Sequence, residues 1–285
     1  AGFIGSSFVD DLILDGHEII GIDNFSTGKN EFLKKSINNK NFTLVEEDLF
    51  KSNCLTDIFK SCELIIHLSA NADVRFGLDH TSKDLNQNTI VTYNILEAMR
   101  KNKIKKIIFS STGSVYGDCK VFPTPEDAPF PVQTSLYAAS KLAAEGLISS
   151  YSNGFEIQAW IFRFVSILGP RYSHGHVYDF YKKLMENQYE LEVLGNGKQK
   201  KSYLHVSDCI NGVKTAFEKS DDLINIFNLG ADEYCEVNDS INWILKDLGI
   251  HPEINYTGGD RGWVGDNPFI YLDTKKIKNL GWSAK

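Results

Sequence analysis

The chain has 285 residues, 42% of them hydrophobic and 24% charged, and its formal net charge at pH 7 is -7. This composition is typical of a globular protein with a full core. The acidic balance, without any basic block, gives no electrostatic footprint for nucleic acid or an anionic membrane surface. No apolar run approaches the roughly 20 residues that a membrane span needs. We therefore expect neither nucleic acid nor a membrane as a partner.

The metal-binding residue types follow no recognisable pattern. The five cysteines are odd in number and scattered, without the paired spacing of a zinc site. The seven histidines do not cluster with carboxylates at ligand spacing. We predict no metal site and a reducing, cytoplasmic location.

The first residues, 2–5, read Gly-Phe-Ile-Gly and run directly into a helical pattern. Gly2 and Gly5 would be the last two glycines of a Gly-x-x-Gly-x-x-Gly turn, whose first glycine and leading strand would lie upstream. We therefore expect the chain to be a fragment. The next strand, 18–22, ends in Asp23, about twenty residues after the glycines, where a carboxylate can accept both hydroxyls of an adenosine ribose. This favours NAD over NADP, although Asp23 could simply cap a strand end.

Strand and helix patterns then alternate. Apolar strands are predicted at 42–45, 64–68, 107–109 and 157–162, with a long helix at 84–101. Continuous apolar runs indicate parallel strands covered on both faces, so the fold class is α/β with a doubly wound parallel sheet. We expect a cofactor-binding domain at 1–168. Residues 169–285 should form mainly a smaller substrate-binding lobe that interleaves with the first domain and is truncated at the C-terminus.

Tyr137 and Lys141 stand four residues apart in a helical pattern. This spacing places both side chains on one helix face, where the ammonium would favour phenolate and lower the pKa of Tyr137. Such a phenol can act as a general base near neutral pH. Any helix can carry this pair by chance, so its context has to decide.

Taken together, these motifs resemble the extended short-chain dehydrogenase/reductases, in the nucleotide-sugar epimerase and dehydratase branch, and look most like UDP-hexose 4-epimerases. The resemblance runs almost from end to end. It is carried by Gly2 to Gly5, Asp23 to Gly28, Asp48-Leu49, His67 to Ala70, Ser110 to Thr112, Val115 to Gly117, Tyr137 to Lys141, Gly169 to Arg171, and Leu204 to Val206.

The resemblance implies a Rossmann-type fold, bound NAD and a UDP-hexose substrate. Its catalytic residues would be Thr112, Tyr137 and Lys141. Cofactor contacts would come from Gly2, Phe3, Ile4, Gly5, Asp23, Asn24, Ser26, Thr27, Gly28, Asp48, Leu49, Leu68, Ser69, Ala70, Asn88, Ser110, Ser111, Tyr137, Lys141 and Phe164. Substrate contacts would come from Ser114, Ser166, Leu194, Lys201, Tyr203, Arg261 and Asp266.

Two residues separate the branches of this family. Dehydratases of this family carry a run similar to Thr-Asp-Glu at this place, whereas this chain has Gly113 and Ser114 after Thr112. A second acid/base pair is therefore absent. The remaining groups are sufficient for epimerisation at C4 through a transient 4-keto sugar. A dehydrogenase, reductase or dehydratase on the same fold, or a non-catalytic NAD-binding protein, stays as an alternative.

Two positions depart from the epimerase pattern, and two histidines and two helices have open roles. Ser166 replaces an asparagine and Lys201 an arginine, and lysine lacks the bidentate fork of arginine. His174 and His176 could touch the sugar, although polar loop histidines are usually only solvated. Helices 84–101 and 136–151 would form a homodimer face, unless their apolar residues are intrachain core.

Overall fold

The computed structural model describes residues 1–71, 73, 76–129 and 132–285. Its strands are β1 (Ile19–Asp23), β2 (Phe42–Glu46), β3 (Ile65–His67), β4 (Lys106–Thr112), β5 (Gln158–Phe164), β6 (Ser166–Leu168), β7 (Glu190–Val193), β8 (Lys200–Lys201), β9 (Tyr203–His205), β10 (Ile224–Leu229), β11 (Cys235–Glu236) and β12 (Glu253–Tyr256). Its helices are α1 (Phe3–Leu14), α2 (Leu55–Ile58), α3 (Phe76–Asp79), α4 (Thr81–Asp84), α5 (Val91–Asn102), α6 (Leu136–Phe155), α7 (His176–Glu186), α8 (Val206–Lys219), α9 (Val237–Leu248) and α10 (Lys275–Lys278).

The largest sheet is parallel, with strand order β10-β5-β4-β3, and β1 pairs with β2 in a separate parallel ladder. In the central pair, Ser111 lies opposite Arg163 and Thr112 opposite Phe164. The carboxyl ends of β3, β4 and β5 therefore lie along one edge, where doubly wound sheets bind their ligands. The predicted α/β class and the predicted parallel strands are confirmed.

Alternate residues of the central strands fill two cores. Ile108 and Phe162 pack on one face with α1 and α8, while Ile107, Phe109 and Ile161 pack on the other with α5 and α6. This alternation follows from the two-residue repeat of a strand. Both faces are thus covered by helices, which explains the continuous apolar runs in the sequence.

The helix predicted at 84–101 is interrupted. A π-helical segment, Leu85–Ile90, joins α4 to α5, and the run ends at Lys103, which adopts a left-handed conformation. Leu96 on α5 is fully buried in the core, whereas Tyr93 is 45% exposed. Leu96 therefore belongs to the intrachain core, whereas Tyr93 lies on the exposed face of the helix.

The C-terminal third of the chain was predicted less well. A small separate core is formed by α7, β7 and α9. However, β10 belongs to the same third and pairs in parallel with β5, at the edge of the main sheet. Sequence analysis missed this strand because we took the regular alternation to stop after residue 171.

Candidate active site

Helix α6 presents the two candidate catalytic residues. It begins at Leu136, and the Ser135 side chain caps it by accepting a hydrogen bond from Ala138 N at 3.1 Å. Lys141, one turn after Tyr137, is only 1% exposed, and its Nζ lies 4.2 Å from the centroid of the Phe109 ring. That nitrogen has no hydrogen-bond partner among the described residues.

The environment of Tyr137 contradicts the predicted tuning. Burial raises the pKa of Tyr137 to about 12, a hydrogen bond with Thr112 lowers it, and the charge of Asp84 raises it further. Burial also lowers the pKa of Lys141 to about 7. The prediction of a lowered Tyr137 pKa is therefore wrong for the protein by itself, because desolvation of the phenolate outweighs any effect of the neighbouring ammonium.

Thr112, the third candidate catalytic residue, ends β4 and caps the 3₁₀ turn that follows. Its Oγ1 accepts a hydrogen bond from Ser114 N at 3.1 Å, which keeps Ser114 beside it. Gly113 is packed so tightly that an added Cβ would lie 2.7 Å from Ile270 Cγ2 and 3.3 Å from the Phe164 carbonyl oxygen. Any larger side chain at position 113 would therefore require Ile270 to shift.

Asn88 lies in a buried polar network instead of an open pocket. Its Oδ1 accepts from Asn71 N at 2.8 Å, and its Nδ2 donates to Ser140 Oγ at 2.9 Å. Ser140 Oγ in turn donates to the Tyr137 carbonyl at 2.7 Å. Asp84, 1% exposed, accepts from Asn71 Nδ2 at 2.8 Å. This network fixes α6 against the π-helical segment.

Sequence analysis missed Asp84, Asn71 and Ser140 as members of the site. Asp84 and Asn88 are four residues apart. This helical spacing was the available signal that their side chains lie on one face. It could not show that Asn71, at the end of β3, closes the network.

The two serines of β4 have different surroundings. Ser110 Oγ donates to the His67 carbonyl at 3.4 Å, which keeps it at the boundary between β4 and β3. Ser111 is 4% exposed and donates a short hydrogen bond to Glu145. The Ser111 hydroxyl thus faces the interior, so any contact of this residue with a cofactor would come from its backbone.

Asp23 lies at the end of β1, as predicted. Its Oδ1 accepts from Phe25 N at 2.8 Å, and its Oδ2 accepts from the amino-terminal nitrogen of Ala1 at 2.8 Å. Gly28 packs so closely on this carboxylate that an added Cβ would lie 2.7 Å from Asp23 Oδ1. Asn24 Oδ1 accepts from Ser26 N at 3.0 Å, and Ser26 and Thr27 are exposed. Residues 23–28 therefore form a tight turn around the carboxylate.

The remaining cofactor candidates lie around the start of α1 and the ends of neighbouring strands. α1 begins at Phe3 after an extended Gly2, and its first turn contains no acidic residue. The first backbone N–H groups of a helix have no intrahelical partner, so those of Phe3, Ile4 and Gly5 can meet an anion. An added Cβ at Gly5 would lie 3.9 Å from Leu68 Cδ1, which places the end of β3 beside this turn.

Ser69 and Ala70 are partly buried, whereas Phe164 is buried. Ser69 and Ala70 follow β3 and Leu68, and Phe164 is 8% exposed at the end of β5. Asp48 Oδ1 accepts from Phe50 N at 2.9 Å, and Asn94 Nδ2 donates to the Leu49 carbonyl at 3.0 Å. These contacts hold the loop after β2 against α5.

Three of the substrate candidates meet in one ionic cluster. Lys201 Nζ lies 3.1 Å from Asp266 Oδ1, and the Arg261 guanidinium donates to the Asp266 carbonyl at 2.7 Å and to Asp118 Oδ2 at 2.7 Å. Leu194 borders the same cluster, since an added Cβ at Gly262 would lie 3.8 Å from its Cβ. The predicted diphosphate cations are thus brought together.

Tyr203 and Ser166 lie opposite each other in the parallel pair β6–β9. The Tyr203 hydroxyl lies 2.6 Å from His176 Nε2, and burial lowers the pKa of His176 to about 4. His174 is exposed. The expectation that both loop histidines are merely solvated is therefore wrong for His176, which is a neutral partner of Tyr203.

Asn267 joins the ionic cluster to the catalytic end of the sheet. It is 6% exposed, its Nδ2 donates to the Gly117 carbonyl at 2.8 Å, and its Oδ1 accepts from Thr134 Oγ1 at 2.9 Å. Gly117 follows the turn after Thr112, and Thr134 precedes α6 by two residues. Sequence analysis gave no signal for this contact.

The described residues contain neither a candidate metal site nor a candidate membrane-spanning helix. No group of three or more histidine, cysteine, aspartate or glutamate side chains could hold a metal ion there. None of the helices in the same part of the chain is both long and apolar enough to cross a membrane.

The sheet edge, the turn at Asp23 and the Thr112, Tyr137 and Lys141 constellation agree with a comparison against known families. The NAD dependent epimerase/dehydratase family matches residues 1–230. The chain belongs to this family. The site fits the cofactor of this family, since a buried Lys141 donor without a described partner and a carboxylate cradled by Gly28 suit ribose hydroxyls.

Individual family members are similar over most of the chain. A UDP-glucose 4-epimerase of Mycolicibacterium smegmatis is 33% identical over 219 residues, which are 74% of this chain and 69% of that protein. A UDP-glucose 4-epimerase structure from Thermotoga maritima, with UDP-glucose, is 32% identical with a TM-score of 0.89. A UDP-glucuronic acid 4-epimerase from Bacillus cereus, with UDP-glucuronic acid and NAD, is 28% identical with a TM-score of 0.91. Each structure covers 100% of this chain, which covers 91% of each.

The packing of Gly113 can be tested by adding a single methyl group. We expect Gly113→Ala to destabilise the protein by about 1–3 kcal/mol, because the new Cβ would overlap Ile270 Cγ2. Gly146→Ala is the matched control, since a Cβ there has no atom within 4 Å and helix propensity favours alanine. Urea unfolding midpoints would measure both, and equal shifts in the two variants would contradict the packing argument.

Proposed function

We propose that this chain is an NAD-dependent epimerase that inverts C4 of a UDP-hexose. The observation that carries the proposal is the grouping of Thr112, Tyr137 and Lys141 at the carboxyl end of β4, where Thr112 hydrogen-bonds the Tyr137 phenol. Family membership and the similarity to 4-epimerases support the same reaction. A non-catalytic NAD-binding protein would have no need of this grouping.

Several residues are placed to hold NAD. We assign the adenosine ribose to Asp23, the pyrophosphate to the first N–H groups of α1, and the nicotinamide ribose to Lys141. Leu68, Ser69 and Ala70 would line the cofactor at the end of β3. When bound, NAD supplies a hydride acceptor and, in its oxidised form, a positively charged ring.

Tyr137 is the group that exchanges a proton with the C4 hydroxyl of the sugar. In the protein by itself its pKa is about 12, so its Oη holds a proton at neutral pH. A positive charge introduced near the phenol would favour the phenolate that can take the hydroxyl proton. Thr112 Oγ1 orients the phenol and the sugar oxygen, and Lys141 in its ammonium form supplies a hydrogen-bond donor. The same Tyr137 Oη returns the proton when the keto sugar is reduced on its other face.

The structure also favours epimerisation over elimination of water. A dehydratase needs a further acid to protonate the departing hydroxyl and a base to take the adjacent proton. A side chain at position 113 would overlap Ile270 and crowd the Phe164 carbonyl oxygen. Ser114 carries only a hydroxyl, so this turn provides groups for proton exchange at a single carbon.

The substrate diphosphate is assigned to the ionic cluster of Lys201 and Arg261. Both cations are held by Asp266, and the Arg261–Asp118 ion pair is exposed, so it contributes little stability and is readily exchanged. Arginine can meet a phosphate with two parallel N–H groups. We propose that residues 169–285 supply mainly this substrate lobe, with Leu194, Tyr203 and Ser166 beside the nucleotide sugar.

The reaction is tested with a panel of UDP-glucose, UDP-galactose, UDP-N-acetylglucosamine and UDP-glucuronic acid. We expect conversion of one sugar to its C4 epimer without net change in absorbance at about 340 nm, because the cofactor is regenerated in each cycle. Tyr137→Phe is the matched control, and it should keep bound NAD while losing turnover by roughly 10²–10⁴-fold. Stoichiometric accumulation of NADH, or near-normal turnover in the variant, would contradict the assignment.

The diphosphate assignment predicts a change in substrate affinity. Arg261→Ala should raise KM by roughly tenfold or more with a smaller change in kcat, because a charge-assisted contact is lost in both ground and transition states. Asp118→Asn is the control, since it removes the ion-pair partner and keeps the guanidinium. Its KM should stay level or fall, and an equal rise in both variants would show that Arg261 acts only through Asp118.

We also propose that the chain is a cytoplasmic homodimer, paired through α5 and α6. Leu85, Tyr93 and Leu136 are 52%, 45% and 42% exposed, as suits a helix-bundle interface. The five cysteines are free thiols, which supports a reducing compartment.

Light scattering after gel filtration should give twice 32.1 kDa. Tyr93→Glu should halve that mass, whereas Tyr189→Glu, at a residue 83% exposed on the other lobe, should not. A monomeric wild-type protein would contradict the dimer.

A further inference from the structure

A buried ion pair lies directly behind the active site. Glu145 is 5% exposed and Arg163 is 9% exposed. The Arg163 guanidinium donates two hydrogen bonds to the Glu145 carboxylate, from Nε at 3.1 Å and from Nη2 at 2.8 Å. Neither residue belongs to the catalytic, cofactor or substrate assignments made above. Burying two charges is costly, so their placement here calls for a physical reason.

The pair is held on several sides. Ser111, which lies opposite Arg163 in the β4–β5 register, donates a short hydrogen bond to Glu145. Arg163 Nη1 also donates to the Tyr116 hydroxyl at 2.8 Å and to the Glu126 carbonyl at 2.9 Å. Burial opposes the charge of Arg163, yet the paired carboxylate raises its pKa above the usual value. The Arg163 guanidinium therefore stays charged beside the carboxylate.

Glu145 lies one turn beyond Lys141 on α6, and at this spacing the two side chains share a helix face. Lys141 is 1% exposed and its Nζ has no described hydrogen-bond partner. Its apolar neighbour is the Phe109 ring, which can favour a cation but cannot accept a proton from it. The ammonium form of Lys141 therefore depends on charges at a distance.

The titratable groups around Lys141 differ in what they contribute. On β3, His67 is 2% exposed and neutral, because burial lowers its pKa to about 3. Its Nε2 carries the proton, since the single proton of the Thr92 hydroxyl goes to the Asn88 carbonyl. On α6, Tyr137 is a neutral phenol near pH 7, and Asp84 acts on that phenol. Glu145 is the described carboxylate whose charge favours the ammonium form of Lys141.

We propose that Glu145, fixed by Arg163 and Ser111, is a positioning residue that favours the ammonium form of Lys141 inside the dry interior. The two hydrogen bonds from Arg163 hold the carboxylate in place, away from the active site. Glu145 thus acts on the reaction only through Lys141, and touches neither substrate nor cofactor.

This arrangement predicts how the charge of Lys141 responds to substitution. Glu145→Gln removes the attractive carboxylate and leaves the buried guanidinium uncompensated, so the ammonium loses support. In Glu145→Gln/Arg163→Met the guanidinium is removed as well, so Lys141 should lose no more support than in the single variant. A purely structural role predicts the reverse order, because the double variant alters more of the packing.

The experiment follows the Lys141 side chain by NMR as a function of pH. Lysine ¹³Cε resonances are recorded in the purified protein, with and without added NAD, and Lys141→Met identifies the resonance. In the wild type its midpoint should lie near the pKa of about 7 that burial imposes. In Glu145→Gln the midpoint should fall by on the order of one pH unit. In the double variant it should fall by a smaller but measurable amount, because Glu145, and not Arg163, shares the helix face of Lys141.

The shift in the Lys141 midpoint should also be visible in the pH dependence of catalysis. The alkaline limb of the kcat profile should shift to lower pH in Glu145→Gln, because Lys141 is neutral over more of the range. Although the role of Lys141 rests on the proposed function, its titration is measured without turnover. A protein that is no epimerase can still show the shift, and an active epimerase can lack it.

Two results would overturn the proposal. One is a Lys141 midpoint in Glu145→Gln equal to that of the wild type. The other is a larger fall in the double variant than in the single one. If the single variant fails to fold, the double variant decides alone, since replacing a buried pair by neutral groups is usually tolerated. An unchanged midpoint in that protein would likewise overturn the proposal.

Discussion

Helix α6 buries a stripe of polar groups against the sheet. Tyr137, Lys141 and Glu145 follow one another at intervals of four residues, so they share one face of the helix. Such a face could not pack on purely apolar strands, because each buried polar group needs a partner or a compensating charge. β4 and β5 meet this demand with Ser111 and Arg163, which are neighbours in the parallel register.

The rest of the site follows from that docking. With α6 fixed, Tyr137 comes within hydrogen-bonding reach of Thr112 at the end of β4. The network through Ser140 and Asn88 then fixes the other side of the helix against the π-helical segment. Polar contacts of this kind set position more than they add net stability, since each replaces a hydrogen bond to water.

How much of this could be predicted from the sequence depends on the range of the interaction. The strands and the parallel sheet are expressed in local periodicity, and the structure confirms them. The Thr112, Tyr137 and Lys141 group is expressed in short motifs, and its catalytic role stays a prediction. The pairing of Glu145 with Arg163 and of His176 with Tyr203 joins residues 18 and 27 positions apart, and no local pattern announces either.

The prediction of a lowered pKa for Tyr137 failed for a related reason. Helical spacing shows that two side chains are close, but it does not show how much water reaches them. Lys141 has its own charge weakened by burial, so the sequence argument assigned it an influence that the dry interior removes. β10 was missed because β6 to β9, which lie outside the main sheet, come between it and β5 in the chain, and chain order does not reveal such a return.

Asn267 has a consequence for attempts to change the substrate of such a protein. The segment that carries Arg261 and Asp266 is fastened by this one amide to Gly117 and to Thr134, and these two residues flank the catalytic turn and the start of α6. The segment of Arg261 and Asp266 and the turn after Thr112 thus depend on the same side chain. A loop transplanted from a relative with a different sugar preference would have to keep the Asn267 side chain in the same position. Without its two hydrogen bonds, the turn after Thr112 and the start of α6 would also lose support.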